Sequence, residues 1–330
     1  MGSTTAKALR FEEFGKPEEV LRLVEEEIPP PGEGEVLVRM ERAAIHPSDL
    51  GIIGGSYGRL PDLPAVAGRE GVGRVEDVGP GVSSGWRDKR VRLPGSIGAW
   101  RSRGIAREED LLEVPRGVSA EQGALAGVNP STAFRLLEDF VGLEAGDWVV
   151  QNAGNSAVGL AVVQLCRARG IRTASLVRRE EAIEPLRERG GDLVVLDDRE
   201  APKAIRAARG KARMPLGLNS VGGPSVLNLA NSVSDGGIVV TFGAMSGEKI
   251  RFPTRQLIFN DVRFAGFWMD RWNRERGEEE RRALLGRVFD AIAAGELETP
   301  VERVYPLDDF ADALAHNAAG RFGKVLFGDV

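Results

Sequence analysis

The sequence predicts an α/β protein in which a doubly wound parallel sheet is inserted into a β-rich domain. Strand-like and helix-like segments alternate regularly between about residues 126 and 270, as a parallel sheet requires. Residues 1–125 instead contain short strand-like runs separated by glycine and proline. A chain of 330 residues is also too long for one small core. We therefore expect one domain from 1–125 with 271–330 and a second domain from 126–270.

The β-rich part is expected to contain short strands followed by a helical segment. Apolar and polar residues mix, as in half-buried strands, over 35–44, 71–78 and 89–93. A helix is predicted to begin after Ser119, because Ser119 and Gln122 have the spacing of an N-cap residue and its reciprocal partner. Helix-like sequence then continues to Val141 despite Pro130.

The segment 147–180 contains one complete βαβ unit. An apolar run at 148–150 predicts a buried strand, a tight turn follows at 154–159, and an apolar helix leads to a second strand at 172–177. In dinucleotide-binding folds of this layout, amide groups at the helix N-terminus hold a pyrophosphate. The alternative is a turn that binds nothing, because Ser156 occupies the middle glycine position of the G-x-G-x-x-G fingerprint.

The same alternation continues along the chain. Further strands are expected at 192–196, 216–221, 237–242 and 262–267, and further helices at 181–189, 202–209, 225–233 and 278–294. The tail from residue 301 mixes strand and helix, and we expect it to pack on the β-rich domain. The parallel sheet would then be an insertion within that domain.

Two arginines follow the strand at 172–177. An acidic residue near this point binds the ribose 2′-hydroxyl of NAD, whereas arginine accommodates the 2′-phosphate of NADP. Arg178 and Arg179 match a dianionic phosphate in charge and in fork geometry. They therefore predict NADPH as the cofactor, the alternative being a solvated turn between strand and helix.

Composition and charge exclude several classes of function. A net charge of -5 argues against a general nucleic-acid binder, and no apolar run approaches the roughly 20 residues that span a bilayer. The N-terminal segment lacks the apolar core of a secretion signal, so we expect a cytoplasmic protein. One cysteine excludes an internal disulfide, and one cysteine with two histidines predicts that no metal is bound.

Ten short motifs follow one another in an order that is typical of one protein family. They are His46-Pro47-Ser48-Asp49, Gly55-Ser56-Tyr57-Gly58, Leu63–Val66, Gly68–Gly71, Gly98–Arg101, Val128–Ala133, Gln151–Ser156, Asn219–Gly223, Gly266–Trp268 and Gly323–Val325. Over nearly its whole length the chain resembles the zinc-independent branch of the medium-chain dehydrogenase/reductase superfamily. The nearest likeness is to trans-2-enoyl-thioester reductases of the mitochondrial type and their bacterial relatives.

This resemblance implies a Rossmann domain inserted in a GroES-like catalytic domain, NADPH as cofactor, and a homodimer joined through the cofactor domain. The strands at 237–242 and 262–267 are the expected joining edge. Two positions depart from the relatives. Zinc-dependent members have Cys where His46 stands and His where Arg69 stands, and enoyl reductases usually have Asn in place of His46. A lone imidazole holds zinc poorly, so a metal remains unexpected.

The resemblance also implies particular site residues. Tyr57, in a glycine-flanked loop, would be the proton donor, the alternative being a tyrosine that only packs against the cofactor. The residues expected to bind cofactor are Asn129, Gly154, Asn155, Ser156, Ala157, Val158, Arg178, Arg179, Phe242, Gly243, Ala244, Met245, Phe267, Trp268, Met269 and Lys324. Those expected to border the substrate are Trp100, Arg101 and Trp268. Lys324 as a surface lysine, and Phe267 with Trp268 as core residues, are the alternatives.

The predicted reaction is reduction of a 2-enoyl thioester by NADPH, with hydride to the β-carbon and a proton from Tyr57 to the α-carbon. Acyl chain length, and coenzyme A or acyl carrier protein as the thiol, stay open. One alternative is a quinone or alkenal reductase on the same fold, which hosts many chemistries. The other is a non-catalytic NADPH-binding protein.

Overall fold

A computed structural model describes residues 2–329 of the chain. The strands, in chain order, are β1 (Thr4–Phe11), β2 (Arg22–Ile28), β3 (Glu35–Ala44), β4 (Ala65–Val66), β5 (Gly71–Val78), β6 (Arg90–Arg92), β7 (Arg103–Arg107), β8 (Leu112–Glu113), β9 (Trp148–Gln151), β10 (Arg172–Val177), β11 (Leu193–Leu196), β12 (Leu216–Asn219), β13 (Ile238–Thr241), β14 (Arg263–Gly266), β15 (Val301–Tyr305) and β16 (Lys324–Gly328).

The α-helices, in chain order, are α1 (Pro17–Val20), α2 (Pro47–Ile53), α3 (Ala120–Leu125), α4 (Asn129–Glu138), α5 (Ala157–Ala168), α6 (Ile183–Glu188), α7 (Ala201–Arg209), α8 (Ser225–Ala230), α9 (Thr254–Phe259), α10 (Met269–Glu275), α11 (Glu278–Ala293) and α12 (Phe310–Ala318). Single turns of 3₁₀ helix lie at Ser84–Trp86, Glu108–Asp110, Glu180–Ala182 and Leu307–Asp309. Within residues 2–329, no helix has both the length and the apolar character needed to cross a bilayer.

The chain divides into two compact units, one up to Gly127 and again from Thr299, the other from Val128 to Glu298. The first expected boundary, at 126, lies close to this division. The second, at 270, does not, because 271–298 belongs to the second unit. There α11 packs on α4, and Arg287 pairs with Glu138 at 2.5 Å.

The first unit is built around β3. It pairs with β5, β7 and β16 within a seven-stranded sheet whose main order is β15-β16-β3-β5-β6-β8, beside a three-stranded sheet of order β2-β1-β4. The tail returns to this unit as expected, since β16 runs antiparallel to β3 with Leu326 opposite Ala44. The apolar side chains between the sheets form the core in which Phe11, Trp100 and Phe327 are buried.

The second unit is a six-stranded parallel sheet of order β11-β10-β9-β12-β13-β14. The order reverses beside β9, which is the point where doubly wound sheets bind ligands at the carboxyl ends of their strands. The predicted fold class is thereby confirmed.

The helix expected from Ser119 to Val141 is interrupted. The hydroxyl of Ser119 caps α3 by accepting the Gln122 amide at 3.2 Å, but α3 ends at Leu125 and α4 starts at 129 with Pro130 in its first turn. Proline lacks the amide hydrogen that a helix interior requires, so it is tolerated only at a helix start.

Candidate active site

Tyr57 lies on a loop that is fastened to the C-terminal end of α2. The backbone amides of Ser56 and Tyr57 both donate to the Gly51 carbonyl, at 2.9 and 3.1 Å. Gly55 makes the turn possible with φ +71°, a left-handed conformation that favours glycine. The Tyr57 side chain is half-buried. Because the loop is hydrogen-bonded to α2, the position of Tyr57 follows from that of the helix.

Arg69 reaches the hydroxyl of Tyr57 from another segment of the same unit. Its Nη1 donates to the Tyr57 hydroxyl at 3.1 Å, and its Cζ lies 5.2 Å from the ring centroid. Gly68 places Arg69 there: it has φ +89°, and a Cβ on it would lie 2.2 Å from the Trp100 ring. The sequence marked Arg69 only as a departure from relatives, and its partner could not be read from spacing.

Behind this pair lies a buried cluster of charged and polar side chains. Asp49 bridges two segments, because its Oδ2 accepts the His46 amide at 2.7 Å and its Oδ1 accepts the Arg69 amide at 3.0 Å. His46 Nε2 lies 2.8 Å from Glu70 Oε2. An ionised carboxylate only accepts hydrogen bonds, so Nε2 carries a proton. The other ring nitrogen, Nδ1, faces Lys324 Nζ at 3.5 Å.

Burial acts to raise the pKa of both buried acids, Asp49 and Glu70, whereas their charged and hydrogen-bonding neighbours act to lower it. Burial raises the pKa of Asp49, and the charges of His46, Arg69 and Lys324 only partly offset this. Burial also acts to raise the pKa of Glu70, but the hydrogen bond and charge of His46, with Arg92 and the Gly127 amide, outweigh it and leave that pKa below its ordinary value. The Glu70 carboxylate is therefore ionised at neutral pH.

Lys324 was expected to contact cofactor, and the structure places its amine inside this cluster. The side chain is only 4% exposed, and Nζ donates to the Ile45 carbonyl at 2.5 Å. Burial, reinforced by the nearby Arg321, lowers the pKa of Lys324 to about 7, against the opposing charges of Asp49 and Glu70. The alternative of an ordinary surface lysine is wrong.

Trp100 has a structural role, in contrast to the substrate-bordering role expected of it. Trp100 is 0% exposed, its indole donates to the Ala44 carbonyl at 2.9 Å, and its ring packs edge-on against Phe327. A side chain without exposed surface cannot border a substrate, because the core would have to open. Arg101 pairs with Glu26 and donates to a backbone carbonyl, but its side chain is partly exposed, so its place beside the substrate stays a prediction.

The turn that follows β9 in the second unit has the close contacts of a dinucleotide-binding turn. A Cβ on Gly154 would lie 2.6 Å from Ser175 Cβ, and one on Gly159 would lie 2.6 Å from the Gly154 carbonyl oxygen. Ser156 is the N-cap of α5, and its hydroxyl accepts the Gly159 amide at 3.1 Å. Serine at the middle position thus stabilises the helix start. The backbone amides of Ala157 and Val158 lie at the N-terminus of α5, which is the positive end of the helix dipole.

Arg178 and Arg179 are exposed directly after the carboxyl end of β10. Within residues 2–329, neither guanidinium is engaged by an ion pair or a side-chain hydrogen bond, so both can approach an anion from solvent. Their charge and exposure fit a phosphate.

The remaining expected cofactor residues of this unit lie at strand ends and helix starts. The loop Phe242–Met245 follows β13, and a Cβ on Gly243 would lie 2.9 Å from the Ser220 carbonyl oxygen. Phe267–Met269 follows β14, where the Phe267 ring packs edge-on against Phe140 at 6.1 Å and Arg274 lies over the Trp268 ring at 4.7 Å. Asn129 opens α4 and is buried.

The described residues contain no group of three or more His, Cys, Asp and Glu side chains arranged to hold a metal ion. Both ring nitrogens of His46 face polar neighbours, Glu70 on one side and Lys324 on the other. That no metal takes part stays a prediction.

Two protein families match successive parts of the chain. The alcohol dehydrogenase GroES-like domain matches residues 32–126, and the family described as zinc-binding dehydrogenase matches residues 157–284.

Curated relatives match almost the whole chain. An enoyl-acyl-carrier-protein reductase of Dictyostelium discoideum is 35% identical over 336 residues, covering 99% of this chain and 95% of the relative. That of Xenopus tropicalis is 38% identical over 321 residues, covering 94% and 92%. Both are named mitochondrial.

Solved structures share the fold over the full length. The mitochondrial 2-enoyl thioester reductase Etr1p/Etr2p heterodimer from Candida tropicalis superposes with a TM-score of 0.89 at 26% identity, covering 99% of this chain and 100% of the other. An Etr1p complex with NADP and crotonyl-CoA has a TM-score of 0.88 at 26% identity with the same coverage. A mycobacterial quinone oxidoreductase has a TM-score of 0.82 at 28% identity, covering 98% and 100%.

The cytoplasmic location expected from the sequence is wrong. The curated relatives are named mitochondrial, and this finding contradicts the cytoplasmic expectation. Charge and hydropathy report whether a chain suits an aqueous medium, and both compartments are aqueous, so these properties cannot separate them.

Replacing Lys324 by Met should stabilise the chain most at low pH. The pKa of Lys324 is about 7 in the folded chain and its ordinary value is 10.5, so the unfolded chain holds more protons between these values. The cost of the buried charge is fully present below pH 7 and disappears as the pH rises towards 10.5. The advantage of Lys324→Met in free energy of unfolding should therefore shrink by at most about 1.4 kcal/mol per pH unit.

The measurement is denaturant unfolding of both proteins across this pH range. Lys203→Met is the matched control, because the Lys203 side chain is 82% exposed, and its effect should not depend on pH. A difference between Lys324→Met and the native chain that stays constant with pH would contradict a buried amine of lowered pKa.

Proposed function

The chain belongs to the medium-chain dehydrogenase/reductase superfamily, within the family of the enoyl-acyl-carrier-protein reductases, and from this premise we propose that it reduces the 2,3 double bond of trans-2-enoyl thioesters with NADPH. The observation that carries the proposal is the hydroxyl of Tyr57, half-buried on a glycine-flanked loop and held by a permanent cation. Such a phenol suits protonation of a carbon that gains negative charge after hydride addition.

NADPH, when bound, supplies the hydride that adds to the β-carbon of the enoyl group. Negative charge then develops on the thioester oxygen and the α-carbon, and the reaction needs a proton at that carbon. Tyr57 donates this proton. A phenol is protonated at neutral pH, so it can act as an acid without a prior protonation step. Its hydroxyl group is also a hydrogen-bond donor suited to the thioester oxygen.

The second unit holds the cofactor. The turn at 154–158 binds the pyrophosphate through the amides at the start of α5, because the close packing at Gly154 and Gly159 brings backbone next to this site. Arg178 and Arg179 bind the 2′-phosphate. The remaining cofactor contacts are assigned to Asn129, Phe242–Met245 and Phe267–Met269, with Trp268 also beside the substrate.

A quinone reductase is the second candidate, favoured by the likeness to the mycobacterial quinone oxidoreductase. Oxidation of NADPH by the purified chain, followed with crotonyl-CoA, an enoyl acyl carrier protein and a simple quinone in parallel, separates the two activities. We expect turnover with at least one thioester and much less with the quinone, unaffected by a chelator because no metal takes part. NADPH binding without oxidation by any acceptor would support a non-catalytic role instead.

We further propose that the chain forms a homodimer through the β14 edge of the parallel sheet. Strand β14 ends the sheet, whereas β13 lies between β12 and β14, so the expectation that 237–242 forms an edge is wrong. The neighbouring helix α9 exposes Leu257, Ile258 and Phe259, the last two 66% and 71% exposed. An open edge beside apolar side chains is a surface that self-association buries.

Replacing Tyr57 by Phe should lower turnover by about 10²- to 10⁴-fold, because the ring remains and only the acid is lost. Steady-state kinetics with crotonyl-CoA under conditions where hydride transfer limits the rate, together with NADPH binding, measure this. The other tyrosine provides the control: Tyr305→Phe removes a hydroxyl that bonds His316 Nδ1 at 3.1 Å and should leave turnover near native. Unchanged turnover in Tyr57→Phe would exclude Tyr57 as the acid.

Replacing both Arg178 and Arg179 by Ala should weaken NADPH binding by about ten- to a hundredfold and leave NADH binding nearly unchanged. Losing the charge-assisted contact that this arginine pair makes to the phosphate should cost about 1.5–3 kcal/mol in total. Fluorescence titrations with NADPH and with NADH give the two dissociation constants, and their ratio measures the selectivity for the 2′-phosphate. Arg172→Ala, at the opposite end of β10, is the control for loss of positive charge. An unaltered ratio would show that another group selects the phosphate.

Replacing Ile258 and Phe259 together by Asp should convert the proposed dimer into monomers, because two carboxylates cannot be buried in an apolar interface without large cost. Light scattering at micromolar concentration should give twice the 35.6 kDa chain mass for the native protein and the single mass for the variant. Leu60→Asp, at another exposed apolar residue, should stay dimeric. A native protein of single-chain mass would contradict the proposal.

A further inference from the structure

The guanidinium of Arg69 is placed to control the proton of Tyr57. Nη1 donates to the hydroxyl at 3.1 Å while Cζ lies 5.2 Å from the ring centroid, so the cation is beside the oxygen and partly above the ring. Arginine carries five donor hydrogens and no acceptor, and it stays charged in proteins. The Tyr57 hydroxyl can therefore only accept from Arg69 and does not give its own proton to this side chain.

The same contact acts on the phenolate that remains after proton transfer. A cation at hydrogen-bonding distance favours the charged form of an acid, and a charge-assisted hydrogen bond is about twice as strong as a neutral one. Arg69 lies on a segment that cannot easily shift. Its amide is held by Asp49 Oδ1 at 3.0 Å, and Gly68 before it is packed against the Trp100 ring.

We propose that Arg69 is a positioning residue for Tyr57, which turns the phenol proton away from itself and stabilises the phenolate left by proton donation. This inference rests on the proposed function, since it assigns Arg69 a role through the acid of that reaction. The consequence is a Tyr57 that ionises at lower pH than an isolated phenol. Among the described contacts, Asp49 accepts the Arg69 amide and connects the pair through His46 to Glu70 and Lys324.

The first experiment uses no substrate and so does not depend on the reaction. The chain contains two tyrosines, so labelling the tyrosine Cζ with carbon-13 gives two signals, and Tyr305→Phe leaves only that of Tyr57. In this background, Arg69→Gln should raise the midpoint of the Tyr57 titration by about one to two pH units, and Arg69→Lys by less, because lysine keeps the charge.

The matched control is Arg59→Gln. Arg59 is exposed on the same loop as Tyr57, and its replacement removes the same formal charge without touching the hydroxyl. In Arg59→Gln, the midpoint of the Tyr57 titration should stay close to that of the native chain. Equal shifts of the Tyr57 midpoint in Arg59→Gln and Arg69→Gln would show that the shift comes from the lost net charge and not from the contact, and would overturn the inference.

The second experiment is the pH profile of thioester reduction. A general acid must be protonated, so turnover falls as the pH rises through its midpoint, and in Arg69→Gln this fall should occur at higher pH by the same interval as the titration. Below it, turnover should be about 3- to 10-fold lower, because a weaker acid transfers its proton more slowly. In a Tyr57→Phe background, Arg69→Gln should cause little further loss. A purely structural role would lower turnover without moving the profile.

The outcomes separate the two proposals. An unshifted Tyr57 titration in Arg69→Gln, with an inactive Tyr57→Phe, overturns the inference and leaves the proposed function intact. A shifted titration with full turnover in Tyr57→Phe overturns Tyr57 as the acid and with it the role of Arg69. A shifted titration, a shifted profile and no further loss in the double variant support both. Circular dichroism of each variant confirms that it is folded.

Discussion

The buried carboxylate of Asp49 holds the candidate active site together. Its two oxygens accept the backbone amides of His46 and Arg69, one at the start of α2 and the other just before β5. Tyr57 follows the far end of the same short helix. One carboxylate and two turns of helix therefore determine how far the Tyr57 hydroxyl lies from the Arg69 guanidinium. Loss of that carboxylate would leave two amides without their acceptor, each at a cost of about 1–3 kcal/mol.

A carboxylate in this position is expensive to bury, and its surroundings offset the cost only in part. Burial raises the pKa of Asp49 despite the nearby cations. Glu70 is better compensated by His46, Arg92 and the Gly127 amide, and its pKa is lowered. Removing one partner from such a cluster leaves an uncompensated charge, which costs more than the pair contributes. The cluster is therefore better understood as a device that fixes geometry than as a source of stability.

The two units provide different parts of the proposed chemistry, and they do so by different means. In the first unit, polar groups that meet inside a β-rich fold orient one phenol. In the second unit, the turn between β9 and α5 offers backbone amides to a ligand. The Ser156 hydroxyl accepts one of these amides, that of Gly159, as a helix cap, and Gly154 and Gly159 allow backbone segments to pack closely. The cofactor turn thus depends on backbone conformation, whereas the acid depends on side-chain contacts between segments distant in sequence.

This difference explains which parts were predictable. The parallel sheet, the turn at 154–159 and the exposed arginines after β10 follow from periodicity and short spacing, so the sequence alone predicted them within a few residues. The break between α3 and α4, at 126–128, was missed because helix-like composition extends across it. The segment 271–298 was assigned to the wrong unit because its packing on α4 is not encoded locally.

The sequence by itself determined the fold class, the family likeness and the candidate acid, since these reside in motifs of a few adjacent residues. Only the tertiary structure decided that Lys324 is buried beside His46, that Trp100 belongs to the core, and that Arg69 contacts the Tyr57 hydroxyl. Each of these depends on residues that are far apart along the chain and brought together by the pairing of β3 and β5 with each other and of β3 with β16. Local spacing carries no information about contacts of this kind.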